Sequence, residues 1–184
     1  LDLNCAMCWR GVAFALGPNI NLPMQDDAVG PAWLAVQNAQ ALAPRTTPRE
    51  QAWIAALAKR YAQSKTADRA ALNEAFAQAM GDLAAKYPDD LDAQTLWAEA
   101  MMDTQPWDYW QADAVTPKGH GAKIVATLES VLAKAPNHPG ALHLYIHAVE
   151  ASTTPERAEP AADRLLKLMP GAGHIVHMPA HIYF

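Results

Sequence analysis

The chain of 184 residues is 51% hydrophobic and 18% charged, which predicts a folded protein with one substantial core and excludes a disordered chain. Its net charge of -5 leaves no basic face that could bind a nucleic-acid backbone. No apolar run approaches the roughly 18 to 20 residues that a membrane span requires. We therefore predict a single domain over residues 1–184, with no nucleic acid among its partners and no membrane span.

Two cysteines come first along the chain, at Cys5 and Cys8. A CxxC at the start of a predicted helix lies where the helix dipole favours a thiolate, and hence redox or metal chemistry. No histidine follows Cys8 and no second CxxC occurs, so neither covalent haem attachment nor a four-cysteine zinc site is supported. We favour two buried thiols, with a disulfide as the alternative.

Four prolines divide the chain into similar parts: Pro44, Pro88, Pro136 and Pro170. The residues twelve, eight and five positions before each proline are all apolar, and this spacing places them on one helix face. They are Ala32, Val36, Ala39, Phe76, Met80, Leu83, Ile124, Leu128, Val131, Ala158, Ala162 and Leu165. The pattern predicts repeated pairs of antiparallel helices, and hence an all-α solenoid in which each pair buries its apolar face on its neighbours.

Short sequence motifs indicate where helices of this repeat begin and where long loops interrupt it. Thr47 with Glu50, and Thr153 with Glu156, read as capping boxes at two helix starts. Two long insertions, at residues 17–30 and 105–121, separate paired helices. Long loops on a rigid scaffold often carry function.

The second insertion is rich in aromatic residues. Trp107 and Tyr109, together with Trp110, could form a lid or wall over a site, with Asp108 as a polar contact. The other interpretation, which we favour, is a hydrophobic plug that covers the core.

Six of the seven histidines lie in the last quarter of the chain. His143 and His177 are each the seventh residue after the preceding proline, and His147 and His181 are each the eleventh. Since equivalent positions of stacked repeats lie side by side, we expect these four imidazoles to come together. His174, the fourth residue after Pro170, adds a fifth imidazole.

Two acidic residues lie near this pattern. Glu99 occupies the eleventh position one repeat earlier, and Glu150 follows His147 by three residues. Histidines four residues apart on one helix can chelate one ion, and imidazole suits zinc, copper or nickel. The HEXXH pattern of a metalloprotease is absent. A hydrogen-bonded array that fixes helix stacking also explains the histidines, and an anionic or peptide ligand is a third interpretation.

The remaining histidines and one proline bear on this region. His138 is expected to cap a helix or to be a surface group, and His120 is expected to lie in a loop. Pro179 lies between His177 and His181 and would break a helix interior. We therefore expect the last helix to begin near His177, with Pro179 in its first turn.

Several segments resemble those of a family of bacterial tetratricopeptide-repeat proteins without an assigned function: CAMCWRGVAFALGPNIN, QPWDYW, HPGALHLYIHAVEAS and AGHIVHMPAHIY. The spacing of 34 residues between Pro136 and Pro170 matches the period of that repeat. Arg10 stands where the family pattern leads us to expect an aromatic residue. Because family members are longer at both ends, we expect a piece of a longer chain, located in the cytoplasm or the periplasm.

The function predicted from these features is a tetratricopeptide-like scaffold that holds a protein, a peptide or a small ligand on a histidine-lined concave face. The residues expected to bind the ligand are Glu99, Trp107, Asp108, Tyr109, His143 and His147. The alternative is a metal-binding protein or metal-dependent enzyme with zinc, copper or nickel on His143, His147, His174, His177 and His181. Glu99 or Glu150 would then be the general base that activates a metal-bound water.

Overall fold

The computed structural model describes residues 2–184, and this part of the chain is all-helical, without a β-strand. It forms two compact units, the first ending at Pro88 and the second covering Asp89–Phe184. No helix within residues 2–184 is long and apolar enough to cross a membrane. The all-α class predicted from the sequence is confirmed, and the solenoid arrangement stays a prediction.

The described part of the first unit contains four α-helices, α1 (Ala6–Ala15), α2 (Asp26–Leu42), α3 (Pro48–Ala58) and α4 (Arg69–Lys86), with a short 3-10 helix (Ala43–Arg45) after α2. Helix α1 packs against α2 and α3, and α3 packs against α4. Ala6, Ala39 and Ile54 come from three different helices and form a buried cluster, against which Met7 and Trp9 pack. A capping box starts α3, as predicted: Glu50 Oε2 accepts the Thr47 N–H at 2.9 Å, and Thr47 Oγ1 accepts the Glu50 N–H at 3.3 Å.

The two cysteines form a disulfide, so the prediction of buried thiols is wrong. Cys5 is the N-cap of α1, and its Sγ accepts the backbone N–H of Cys8 at 3.0 Å. The buried face of α1 is made by Ala6 and Ala13, whereas Cys8 is exposed. The pair therefore lies at the start of the helix, outside the core.

The first insertion is shorter than predicted, because α2 begins at Asp26 and continues through Pro31. Asp26 and Asp27 in the first turn favour a helix start, since they complement the positive end of the helix dipole. Buried Arg60 holds the remaining loop by donating from its guanidinium to the Pro18 carbonyl at 2.7 Å.

The second unit contains six helices: α5 (Leu91–Met102), α6 (Gly121–Lys134), α7 (Pro139–Val149), α8 (Glu159–Leu168), α9 (Gly173–His177) and α10 (Ala180–Tyr183). Helix α7 packs against α5, α6, α8 and α10. Its residues Leu142, Ile146 and Val149 are fully buried. The most buried helix of the unit is thus the one that carries His143 and His147.

The apolar positions before the four prolines are buried, as the repeat pattern predicts. All twelve residues are at most 4% exposed. Eleven of them lie on the inner face of α2, α4, α6 or α8, the helices before the four prolines, and Ala158 is the N-cap residue of α8. A period of 3.6 residues places such positions on one side of a helix.

Two predicted helix starts in the second unit are wrong. Pro155–Ala158 is a 3-10 turn without a side-chain cap, and α8 begins only at Glu159. The Thr153 N–H instead donates to the carbonyl of Ala114 at 2.9 Å. The last predicted helix does not begin near His177: α9 ends there, and Pro179 caps α10. Proline has no N–H to continue the hydrogen bonds of α9.

Candidate metal centre

Five imidazole rings lie together in the second unit, and we name His143, His147, His174, His177 and His181 the five-histidine cluster. The rings form a closed cycle in which neighbouring centroids are 4.7 to 5.5 Å apart, in the order 143, 147, 181, 177, 174 and back to 143. Helix α7 supplies two of them, α9 supplies two and α10 supplies one. The two sequence pairs therefore meet in space, as their equivalent repeat positions led us to expect.

A single carboxylate holds two of these rings. Glu150 is the C-cap residue of α7; its Oε1 is 2.9 Å from His147 Nδ1, and its Oε2 is 2.5 Å from His181 Nδ1. Burial raises the pKa of Glu150, but the hydrogen bonds and charges of His147 and His181 outweigh it, so the pKa lies below its ordinary value. An ionised carboxylate only accepts hydrogen bonds, so each Nδ1 carries its proton. Both Nε2 atoms are then left with a lone pair.

No N–H or O–H group among residues 2–184 donates a hydrogen bond to His147 Nε2. The side chain of His147 is 1% exposed, and its Nε2 has no hydrogen-bond partner among residues 2–184. A buried polar atom without a partner costs free energy, and such atoms are uncommon in native proteins. Ring nitrogens of His143 and His174 lie within 4.8 Å of a His147 ring nitrogen and of each other, so the three could hold a metal ion.

His143 and His174 meet through their Nε2 atoms, which are 2.9 Å apart. Two imidazole nitrogens bound to one ion at about 2.0–2.1 Å are about 2.9 Å apart at an angle of 90° and about 3.3 Å apart at the tetrahedral angle. The observed distance fits two ligands of one ion. Without an ion, one of the two Nε2 atoms must carry a hydrogen and donate a hydrogen bond to the other.

Two imidazoles of this site, those of His143 and His174, have lowered pKa values that favour the neutral ring. The pKa of His143 is lowered to about 3, first by burial and then by the neighbouring histidines, of which His147 has the largest effect. Burial also lowers the pKa of His174, followed by the effects of His147, His177 and His181. Only the neutral imidazole offers a lone pair to a metal, so these shifts favour ligation over protonation at neutral pH.

The loop between α5 and α6 forms one wall of the site. The Trp107 indole lies perpendicular to the His147 ring, with ring centroids 5.0 Å apart, and 47% of Trp107 is exposed. Trp107 has a φ of 64°, an unusual conformation for a bulky residue. Trp110 anchors the loop to α7 by donating its Nε1–H to the Ala148 carbonyl at 2.8 Å. The loop is thus held where Trp107 covers His147.

The two interpretations of the aromatic loop apply to different residues in it. Trp107 lies against the five-histidine cluster, whereas Tyr109 is only 2% exposed and fills the interior. Burial raises the pKa of the Tyr109 hydroxyl, and the charges of Asp103 and Glu150 raise it further. Asp108 pairs with Lys118 at 2.5 Å, and both side chains are about half exposed.

The other residues singled out from the sequence lie outside the groups of candidate metal ligands. Two groups of candidate ligands occur within residues 2–184: His143, His147 and His174, and His147, Glu150 and His181. Glu99 lies on α5 and belongs to neither group. His177 also belongs to neither, although its Nε2 is 3.1 Å from His181 Nε2. His138 caps α7 by accepting the Ala141 N–H on Nδ1, as predicted, and His120 is the residue before α6. The anchoring of the loop by Trp110 was not anticipated, and no spacing in the sequence signals it.

Comparison of the chain with models of protein families, with curated proteins and with solved structures finds no match. The geometry and the chemistry of the five-histidine cluster are therefore the features of this chain from which a function can be inferred.

Proposed function

We propose that this protein binds a transition-metal ion through the Nε2 atoms of His143, His147 and His174. The observation that carries the proposal is the buried lone pair of His147 Nε2, which has no donor among the described residues. A hydrogen-bonded histidine array, the main alternative, would satisfy its buried nitrogens. A metal ion takes a lone pair that no N–H group approaches.

The donor set indicates the class of ion. Three neutral imidazole nitrogens suit zinc, copper or nickel and do not suit the oxygen-seeking magnesium and calcium ions. Three protein ligands leave a fourth position of a tetrahedral ion for water or an external ligand. Glu150 acts here as the group that orients His147, since a metal-binding histidine usually donates its other N–H to a carboxylate or carbonyl.

The scaffold function expected from the sequence stays a prediction, as does an enzymatic activity. The role of general base suits Glu150 poorly, because both of its oxygens already accept a hydrogen bond from an imidazole. The half-exposed indole of Trp107 offers an apolar surface beside the ion.

Elemental analysis tests the proposal. The protein is purified without a histidine tag, stripped with a chelator, dialysed against zinc, copper or nickel, and separated from unbound metal. We expect the wild-type chain to retain metal, and His147→Ala to lose it while keeping its helical circular dichroism. His120→Ala is the matched control, because His120 lies outside the cluster. A wild-type chain that retains none of the three metals would refute the proposal.

A further inference from the structure

His177 and His181 form a second pair of imidazoles beside the three proposed ligands. Their Nε2 atoms are 3.1 Å apart, nearly the same separation as that between His143 and His174. By the same geometry, this distance corresponds to two ligands of one ion at an angle between 90° and the tetrahedral value. The cluster therefore contains two pairs of nitrogens, each with the spacing of ligands that share an ion.

One ion does not reach both pairs in this arrangement. Nitrogens bound to a single ion at about 2.0–2.1 Å are at most about 4.2 Å apart. The group whose ring nitrogens all lie within 4.8 Å of one another contains His143, His147 and His174, but neither His177 nor His181. Five imidazoles also exceed the four ligands of a tetrahedral zinc ion.

The tautomer of His181 also suits metal binding by the pair that it forms with His177. Glu150 Oε2 accepts the Nδ1–H of His181, which leaves the Nε2 lone pair of His181 facing His177. The same carboxylate thus orients one ligand in each subset, His147 in the first and His181 in the second.

The backbone holds the second pair in place. His177 is the last residue of α9, and α10 begins at Ala180, so the two histidines lie on either side of a tight turn. Met178 in that turn is fully buried and anchors it to the interior. His177 itself is exposed, so water can reach this subset and complete the coordination of an ion.

We propose that the five-histidine cluster holds two transition-metal ions, the first on His143, His147 and His174 and the second on His177 and His181. This inference rests on the proposed function, since the second subset shares Glu150 with the first. The second ion has only two protein ligands and keeps positions that water fills. It is therefore expected to bind more weakly than the first and to be lost first on dilution.

Zinc stoichiometry separates this inference from the proposed function. Stripped, untagged protein is titrated with zinc by calorimetry, and the bound zinc is counted by elemental analysis. We expect two ions per wild-type chain and one per chain of His177→Ala, with the affinity of the tighter site unchanged within about twofold. His177→Ala is suitable because His177 is exposed and because the two imidazoles that hold Glu150 are those of His147 and His181. His177→Phe, which keeps a ring at this position, is a second variant. His120→Ala should bind two ions.

Each other result has a distinct meaning. One ion per wild-type chain, whether or not His177→Ala weakens it, overturns the two-ion inference and leaves the proposed function standing. Two ions in both His177 variants place the second ion elsewhere and also overturn it. No bound ion in the wild-type chain refutes both proposals.

Discussion

His147 and Glu150 are one helical turn apart, and the Nδ1–H of His147 points to Glu150 Oε1 at 2.9 Å. This hydrogen bond leaves Nε2, on the other side of the buried ring, with a lone pair and no partner among residues 2–184. The contact therefore decides both the tautomer of His147 and the atom that it offers to a ligand.

Glu150→Gln tests this relationship. His147 and His181 each donate to a different oxygen of Glu150, and glutamine replaces one of these oxygens by an NH2 group, which cannot accept an Nδ1–H. We expect metal affinity to fall by about 10- to 100-fold, the usual effect of losing a group that orients a ligand, while the fold is retained. Competition with a chromogenic chelator measures the affinity. Glu129→Gln is the control, because Glu129 accepts from Tyr145 outside the cluster; an equal loss in both variants would argue against a specific role for Glu150.

The stability of the metal-free protein should depend on pH through His143. The pKa of His143 is about 3 in the folded chain and ordinarily 6.5, so the unfolded chain binds more protons between these values. The free energy of unfolding should be highest above pH 6.5 and should fall toward pH 3, by at most about 1.4 kcal/mol per pH unit for this one group. The lowered pKa of His174 acts in the same direction, and so does that of Glu150 below 4.5.

Urea unfolding of the stripped chain from neutral pH down to about pH 5 measures this dependence. His143→Gln removes the titrating ring and should flatten the profile. If that variant loses stability with pH as steeply as the wild-type chain, then His143 is not the source of the dependence.

Trp107 should report metal binding by its fluorescence. Its indole contacts the His147 ring, so a paramagnetic copper(II) ion on His147 Nε2 would lie close enough to quench it. We expect copper to quench the emission of the wild-type chain, and to quench less in Trp107→Phe, which retains the five other tryptophans. Zinc, which has no unpaired electron, serves as the control. Equal quenching in both chains would place the copper away from Trp107.

Reduction of the Cys5–Cys8 disulfide should have a small effect on stability. The two residues are three positions apart, and a cross-link that closes so short a loop restricts the unfolded chain little, by about 2 kcal/mol or less. Chemical unfolding with and without a reductant measures the difference. Changing both cysteines to serine should restore part of the loss, because serine at position 5 is a good N-cap for α1. A loss well above 2 kcal/mol on reduction would show that the disulfide supports more than the first turn.

The sequence by itself determined the helical class and the inner faces of the helices. The twelve apolar positions before the prolines could be predicted because helical periodicity and burial both follow from the local pattern of residues. The same register indicated that His143, His147, His177 and His181 would meet. Their imidazoles do form one cycle with His174.

Only the tertiary structure decided which atoms of those histidines are available to a ligand. Glu150 accepts from His181, which is 31 residues away, and Trp107 covers His147 from a loop 40 residues earlier in the chain. No local pattern encodes such contacts, because they depend on how α7, α9, α10 and the loop pack together. The buried His147 Nε2 without a partner among residues 2–184 is a product of that arrangement, and it is the observation that favours the proposed metal site over a purely structural array of histidines.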